Sequence, residues 1–441
     1  MTVAAAGGSA RDRSGHEWSG HGGAHHGGAH HGGAHHGSAG HGDHLEFIRR
    51  AGQTTRKAIA EHTGLSRSVV AQAVAELIAQ GLVVERRLVE RRLVEGAQAR
   101  VGAAAGGALR ARRGRPTSVL ELARQRGVVL ACDIGHRHIT VATCDLQGRI
   151  LAEQRVDFPV DDGAAATFRE VHARVAGSLA AAGASAADVL AFGVSFPYPV
   201  VRATGAVRAP AALAGWQGVN VAEARPAGIA GPIVHDNDAN FGAWGERMHG
   251  ASPDLDNLLY VKLSDGIGAG LIVDGVLLSG ARGIGGEMGH LQVDPNGPLC
   301  RCGRRGCLET VVAESLPDLY SAGTRVGHAI AQLCAFIDPE VVVLGGRLGA
   351  ASAPLVEGVR EAFAEWMPGG TASGVDVRPA SLGARSELLG IIDRTLTAAW
   401  ASGAVGRTGT ATADPFSSCR RTNSRAVLDI PFDAERLVVK E

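Results

Sequence analysis

The chain has 441 residues, 45% apolar and 4% aromatic, enough for two or three domains with cores of aliphatic side chains. Acidic and basic residues balance at 44 each, and no hydrophobic run approaches the ~18 residues that a membrane helix needs. The N-terminus lacks the apolar core of a signal peptide, and the seven cysteines suit a reducing compartment better than a disulfide framework. We therefore expect a cytoplasmic protein without membrane contact.

The zero net charge conceals an asymmetry along the chain. Residues 45–128 carry 16 Lys and Arg against 7 Asp and Glu, whereas residues 129–441 carry 26 against 34. A basic N-terminal module joined to an acidic body predicts contact with a polyanion at one end only.

The first 44 residues form a Gly/His-rich tail in which GGAHH repeats at Gly22, Gly27 and Gly32. A five-residue Gly/His period cannot bury a core, so we expect this tail to be disordered. Its function is either passive or the chelation of metal ions.

Residues 45–95 have the pattern of a winged helix-turn-helix. A short amphipathic helix opens at Leu45, a second helix ends at Gly64, and Ser66 caps a third, amphipathic helix that runs to Gln80. Two helices joined by a short Gly-containing turn are typical of DNA-binding modules, although other small helical domains share the pattern. The predicted DNA-contacting side chains are Ser66, Arg67, Ser68 and Gln72.

A wing strand is predicted from Leu82 to Val84, followed by a direct duplication of ERRLV. We expect residues 96–127 to be a basic linker or wing extension. Its arginines either reach phosphates or a minor groove, or belong to a solvated linker; they are Arg110, Arg112, Arg113 and Arg115.

Residues 128–402 read as a large α/β body, followed by a tail (403–441) that we expect to be disordered. Three strands with turns at Gly135 and Gly148 open the body. Further along, a strand delivers Asn237 and Asp238 to the N-terminus of a helix, where a carboxylate is favoured by the backbone amides. Asp238 is therefore either a simple helix cap or a ligand-binding group.

The segment 290–307 predicts a zinc site. His290, Cys300, Cys302 and Cys307 lie within eighteen residues, and glycines supply turn freedom between the last two cysteines. A Cys₃His set fills four tetrahedral positions and leaves none open for water, so the site is structural in character. The alternative is four unrelated side chains in one loop.

The same stretch carries a resemblance. GGEMGH followed by GPLCRCGRRGCLE resembles the zinc-containing signature of the ROK family, which groups sugar kinases with transcriptional repressors. The resemblance implies a two-lobed actin-like ATPase (ribonuclease H-like) α/β body behind the winged helix. It implies a sugar site formed by Asn237, Asp238, Glu287, His290 and Glu309. The nucleotide-binding residues implied in the same way are Asp133, Gly135, Gly266, Gly268, Gly345 and Gly346.

The chain departs from the family's kinases at both phosphate loops. His136, Arg137 and His138 replace a small hydroxyl-bearing sequence, and Ser264-Asp265 replaces Gly-Thr. Tyr198 stands where the family has Gly in a sugar-contacting segment, so we expect a narrowed pocket.

We therefore expect a sugar-responsive transcriptional regulator, a repressor, that acts on operator DNA as a homodimer or larger assembly. Its ligand would be a sugar or sugar phosphate, with structural zinc and with ATP and magnesium left open. The alternative is an ATP-dependent sugar kinase that retains a DNA-binding arm, in which Asp238 would be the catalytic base.

Overall fold

A computed structural model describes six stretches of the chain, namely residues 41–79, 81–87, 118–123, 127–251, 255–367 and 374–402. Most of the predicted N-terminal tail, the four arginines of the predicted linker and the predicted C-terminal tail lie outside these residues. Within them, no helix is both long enough and apolar enough to cross a membrane.

The N-terminal module is built from three helices and a small sheet. The helices are α1 (His41–Ala51), α2 (Arg56–Thr63) and α3 (Arg67–Ala79). The strands β1 (Gln53–Thr54), β2 (Val83–Arg87) and β3 (Ser118–Leu122) pair in the order β1-β3-β2, antiparallel throughout.

Local sequence signals account for the helix boundaries in this module. Thr55 caps α2 by accepting a hydrogen bond from the Ala58 amide, and Gly64 ends the helix in the left-handed conformation at φ 68°. The predicted wing strand from Leu82 corresponds to β2.

Two boundaries differ from the prediction. Helix α1 begins at His41, inside the segment predicted to be disordered, because His44 and Leu45 are buried in the module's core. Strand β3 lies inside the segment predicted to be a linker (96–127), where Val119 and Leu120 supply buried side chains and the backbone completes the sheet.

Two five-stranded sheets form the lobes of the body. The first has the order β10-β7-β4-β5-β6 and the second the order β13-β12-β11-β14-β15. The strands of the first are β4 (Val128–Ile134), β5 (His138–Asp145), β6 (Ile150–Asp157), β7 (Val189–Phe196) and β10 (Ile233–Asn237). Those of the second are β11 (Leu258–Leu263), β12 (Ile267–Val273), β13 (Val276–Leu277), β14 (Val341–Gly345) and β15 (Asp376–Pro379). Strands β8 (Val200–Val201) and β9 (Ala206–Val207) pair as a separate two-stranded antiparallel ribbon.

The helices arrange the body in layers. They are α4 (Ala164–Ala181), α5 (Asp238–His249), α6 (Leu308–Ser315), α7 (Leu319–Ile337), α8 (Gly346–Gly349), α9 (Ala353–Trp366) and α10 (Ser386–Ala401). Helix α4 packs on the outer face of the first sheet and the α7–α9 pair packs on the outer face of the second. Helices α5 and α10 pack against each other between the two sheets.

This layering follows from the burial of both faces of the central strands. Every residue of β4 is buried, and its alternate side chains join two cores, one towards α4 and one towards α10. The predicted two-lobed α/β architecture is confirmed, and most of the predicted sugar- and nucleotide-binding residues lie in the cleft between the lobes.

Candidate functional site

The four predicted metal ligands form one cluster. The ligand atoms of His290, Cys300, Cys302 and Cys307 lie within 4.8 Å of one another. His290 Nδ1 is 3.5 Å from Cys300 Sγ, and Cys302 Sγ is 3.5 Å from Cys307 Sγ. One imidazole–thiol pair and one thiol–thiol pair at this spacing form a possible tetrahedral metal site.

The loop holding these ligands is shaped by Gly306. Its φ is 64°, and a Cβ there would lie 1.4 Å from the Asp294 carbonyl oxygen, so only glycine fits. The Gly306 amide donates to the Pro298 carbonyl, which folds the two arms of the loop together.

A polar cavity of about 270 Å³ lies between the lobes and is lined by most of the predicted site residues. The lining includes Asn237, Asp238, Glu287, His290 and Glu309 together with Asp133, Gly135, Gly266, Gly268 and Gly346. Gly345 has a different role, because a Cβ there would lie 2.0 Å from Tyr260 Oη beneath the strand.

Helix α5 positions the first two polar groups of the cavity. Asn237 caps the helix by accepting from the Ala239 amide, which fixes its side chain at the cavity floor. Asp238 follows directly, and its Oδ2 accepts a 2.8 Å hydrogen bond from Lys262 Nζ. Both partners of this ion pair are 10% exposed. Burial alone would lower the pKa of Lys262, but three neighbouring carboxylates, led by Asp238, hold it well above its ordinary value.

The opposite wall comes from the segment before the metal ligands and from α6. His290 presents Nδ1 to the cysteine cluster and Nε2 to Glu287, whose Oε2 is 3.7 Å away. Burial, reinforced by the Asp238 and Glu309 carboxylates, raises the pKa of Glu287 to about 7. One imidazole thus joins the metal cluster to the cavity.

Asp133 lies at the end of β4, in the first predicted phosphate loop. Its carboxylate accepts from Ser195 Oγ at 2.7 Å and lies 2.9 Å from His138 Nε2. Burial works against its charge, yet these contacts hold the pKa of Asp133 well below its usual range. His138 therefore contacts the same carboxylate that, by the family resemblance, would lie beside a metal ion and the phosphates.

A second histidine of this loop belongs to a hydrogen-bonded network in the cavity lining. His136 Nδ1 lies 2.7 Å from Asp161 Oδ1, which also accepts a 2.6 Å hydrogen bond from Tyr198 Oη. Tyr198 lines the cavity and is 2% exposed, so its ring does occupy space that glycine would leave open.

In the second phosphate loop, the glycines divide between two roles. Gly266 lies in the turn after β11, whereas Gly268 and Gly270 lie within β12. A Cβ at Gly270 would be 2.4 Å from the Ala239 carbonyl oxygen, so this glycine permits close packing on α5. Asp265 lies 3.6 Å from the guanidinium of Arg347, which offsets part of its charge at the loop.

In the winged helix, the predicted DNA-contacting side chains lie on one exposed surface. Ser66, Arg67, Ser68 and Gln72 are exposed around the first turns of α3, while Val70, Val74 and Leu77 are buried. Ser66 Oγ accepts from the Val69 amide at 3.4 Å, as expected of a capping residue. The helix ends at Ala79; Gln80 lies outside the described residues.

Sequence reasoning missed Lys262 and Arg301. Lys262 is a lone charge in the apolar strand β11, and a buried lysine needs an anionic partner, so its presence alone was an available signal. Arg301, between two of the predicted metal ligands, donates to Glu309 at 3.0 Å and to Asp161 at 3.2 Å. It therefore bridges the two lobes across the cavity, a contact that no local pattern indicates.

Family comparisons agree with this architecture. The sequence pattern of the ROK family matches residues 129–316 and 316–396, and that of the MarR family matches residues 41–99. The chain is 24% identical over 376 residues to the xylose repressor of Bacillus subtilis strain 168, covering 79% of this chain and 92% of that protein. It is 27% identical over 260 residues to a putative xylose repressor of Caldicellulosiruptor sp. strain Rt8B.4, of which it spans 60%.

Two solved structures are similar. One is a ROK family transcriptional regulator described as a homologue of the E. coli MLC protein, with a TM-score of 0.59 and 21% identity, covering 81% of this chain and 98% of that one. The likeness is one of fold. The other is a ROK family glucokinase from Streptomyces griseus in complex with glucose and AMPPNP, with a TM-score of 0.53 and 25% identity, covering 61% and 99%. With the family pattern spanning most of the body, the two-lobed fold and the histidine–cysteine cluster in place, this chain belongs to the ROK family and carries a MarR-type winged helix at its N-terminus.

Proposed function

We propose that the protein is a sugar-responsive DNA-binding transcriptional regulator, a repressor, in which sugar binding in the interlobe cavity changes the affinity of the winged helix for operator DNA. The observation that carries this proposal is that the winged helix and the two-lobed body form one compact unit. The exposed N-terminal half of helix α3 and the cavity lined by carboxylate, amide and imidazole groups belong to this same unit. Similarity to xylose repressors along both modules supports it.

The sugar ligand would be held by Asn237, Asp238, Glu287, His290 and Glu309. Three carboxylates, one amide and one imidazole lining the same cavity suit a polyhydroxyl ligand, since each hydroxyl both donates and accepts a hydrogen bond. Arg301 and Lys262 add positive charge to the same space, which is compatible with a sugar or a sugar phosphate.

The histidine–cysteine cluster would hold a structural zinc ion through His290, Cys300, Cys302 and Cys307. The donor set fits zinc, because three thiolates and one imidazole complete a tetrahedron without water. When bound, the ion orders the loop and fixes the His290 tautomer that faces the cavity. Thiolate ligands require a reducing environment, which supports a cytoplasmic location.

Operator binding would use the N-terminal half of α3 in a major groove. We expect Arg67→Ala to weaken operator binding by about 1–3 kcal/mol if the guanidinium reads a base. Fluorescence anisotropy on a duplex selected by the wild-type chain measures this. Arg169→Ala, an exposed arginine on α4 of the body, is the matched control and should bind like wild type. Equal affinities of the two variants would contradict the assigned recognition surface.

Two-fold symmetric half-sites would follow from a homodimer.

Phosphoryl transfer would be absent or vestigial. A catalytic base must be free to take the sugar hydroxyl proton, but the Asp238 carboxylate is already paired with Lys262 at 2.8 Å in a buried setting. Most of the rate in such reactions comes from positioning and neutralising the transferred phosphate. Here the Asp133 carboxylate is already in contact with His138. Asp265 adds a carboxylate to the second loop that would repel a phosphate, although the nearby Arg347 guanidinium reduces this repulsion.

The second candidate function, an ATP-dependent sugar kinase, is favoured by the intact cavity and by the likeness to the Streptomyces griseus glucokinase. A coupled ADP-release assay with magnesium over a sugar panel decides between them. We expect no turnover above background. Turnover of about 1 s⁻¹ or more, within the usual enzyme range, that disappears in Asp238→Asn would establish the kinase instead.

A further inference from the structure

The winged helix is attached to the body through a buried ion pair. Arg49 on α1 donates from Nη2 to Asp393 Oδ1 on α10 at 2.6 Å. The two side chains are 5% and 0% exposed. Around them, apolar residues of α1 and α10 belong to one hydrophobic cluster. The first helix of the DNA-binding module is therefore fixed to the last helix of the body.

The same carboxylate is also held by α5. Trp244 Nε1 donates to Asp393 Oδ2 at 2.8 Å, and His249 Nε2 lies 3.5 Å from Oδ1. One buried side chain thus joins α1, α5 and α10. A buried carboxylate with several partners holds one geometry, because any displacement leaves charge uncompensated.

The N-terminal ends of α5 and α10 reach the cavity. Helix α5 starts at Asp238, and Glu387 lies in the first turn of α10; Lys262 Nζ is 2.8 Å from the first carboxylate and 3.5 Å from the second. The twelve residues of α5 span roughly 18 Å at about 1.5 Å per residue.

Glycines let the two helices touch along their length. A Cβ at Gly245 would lie 2.0 Å from the Ser386 carbonyl oxygen, and one at Gly390 would lie 2.0 Å from the Phe241 carbonyl oxygen. Helices in backbone contact move together, so a displacement at the cavity end is carried to Asp393, near the middle of α10.

We propose that Arg49 and Asp393 are the positioning residues through which sugar occupancy acts on the DNA-binding module. This inference rests on the proposed function. A sugar hydrogen-bonded to Asp238 competes with Lys262 and shifts the balance of contacts at the start of α5 and α10. The α5–α10 pair then moves Asp393, and with it Arg49 and α1. The coupling needs only that the sugar favour one of two arrangements of this helix pair.

The test measures coupling separately from binding. Operator affinity is measured by anisotropy with and without D-xylose or D-glucose, and sugar affinity by calorimetry, in the full-length wild type, Asp393→Asn and Arg49→Gln. In allosteric proteins, binding of one ligand typically changes the affinity for the other by about 5–150-fold. We expect the ratio of operator dissociation constants with and without sugar to fall to about twofold or less in both variants. Sugar affinity should persist, because neither residue lines the cavity.

Three further variants keep the result interpretable. Arg385→Gln removes a 2.8 Å ion pair to Glu153 just before α10 and should retain the wild-type ratio. Arg49→Lys keeps the charge and should restore part of the coupling, which a purely space-filling role would not do. Trp244→Phe removes the hydrogen bond from α5 to Asp393 but keeps an aromatic ring beside Arg247 and Arg394, and it should lower the ratio even if the charge variants fail to fold.

Wild-type ratios in folded Asp393→Asn and Arg49→Gln, or in Trp244→Phe where those two do not fold, would overturn the inference. A wild-type chain whose operator affinity no sugar alters would instead overturn the proposed function.

Discussion

We expect the Cys302→Ser substitution to abolish metal binding and the sugar response together. Serine offers no thiolate, so the cluster retains only His290, Cys300 and Cys307. The surrounding loop is rich in Gly and polar residues and cannot order itself by burial; metal binding supplies roughly 10 kcal/mol or more of folding free energy in small zinc sites. Because His290 belongs to both the cluster and the cavity, disorder in the loop removes a cavity wall.

Elemental analysis and calorimetry on the purified variant measure both effects. Arg304→Ser is the matched control, since Arg304 is exposed in the same loop and contributes no ligand atom to the cluster. That variant should keep one zinc ion per chain and the wild-type sugar affinity. Soluble wild-type protein that binds sugar without any zinc would refute the structural role assigned to the ion.

We expect the Glu287→Ala substitution to remove the sugar response while operator binding persists. The carboxylate lies between His290 and the Asp238 side of the cavity, where hydrogen bonds to charged partners contribute about 1.5–3 kcal/mol each. Losing it also deprives the His290 imidazole of its partner on the cavity side. Sugar affinity by calorimetry and operator affinity by anisotropy separate the two functions.

Glu314→Ala provides the control, because Glu314 is exposed on α6 and does not line the cavity. It should respond to sugar like wild type. If Glu287→Ala bound sugar with unchanged affinity, the ligand would have to lie elsewhere than in the interlobe cavity.

Local signals in the sequence were enough to predict the recognition helix and the metal cluster. Helix α3 begins one residue after its predicted cap because Ser66 and the stripe of Val70, Val74 and Leu77 act within a few residues of one another. The cluster is similarly local, with all four ligands within eighteen residues. The family resemblance then assigned cavity residues that lie far apart in the sequence to one site.

Contacts set by tertiary structure were not predictable in this way. Strand β3 pairs with β2 across a segment of thirty residues, and its short sequence has no distinctive pattern. The partners of Lys262 and Arg301, and the junction of Arg49 with Asp393, depend on how two lobes and a third module pack. Their residue types indicate only that partners must exist, because buried charges require them.

The most direct test of the account is the affinity of the full-length protein for its selected operator duplex, measured by anisotropy across a panel of sugars and sugar phosphates without ATP. We predict that at least one sugar weakens operator binding by about fivefold or more, and that this effect is lost in Glu287→Ala. Operator affinity that stays constant across the panel, or a sugar effect that requires ATP and ADP release, would contradict it.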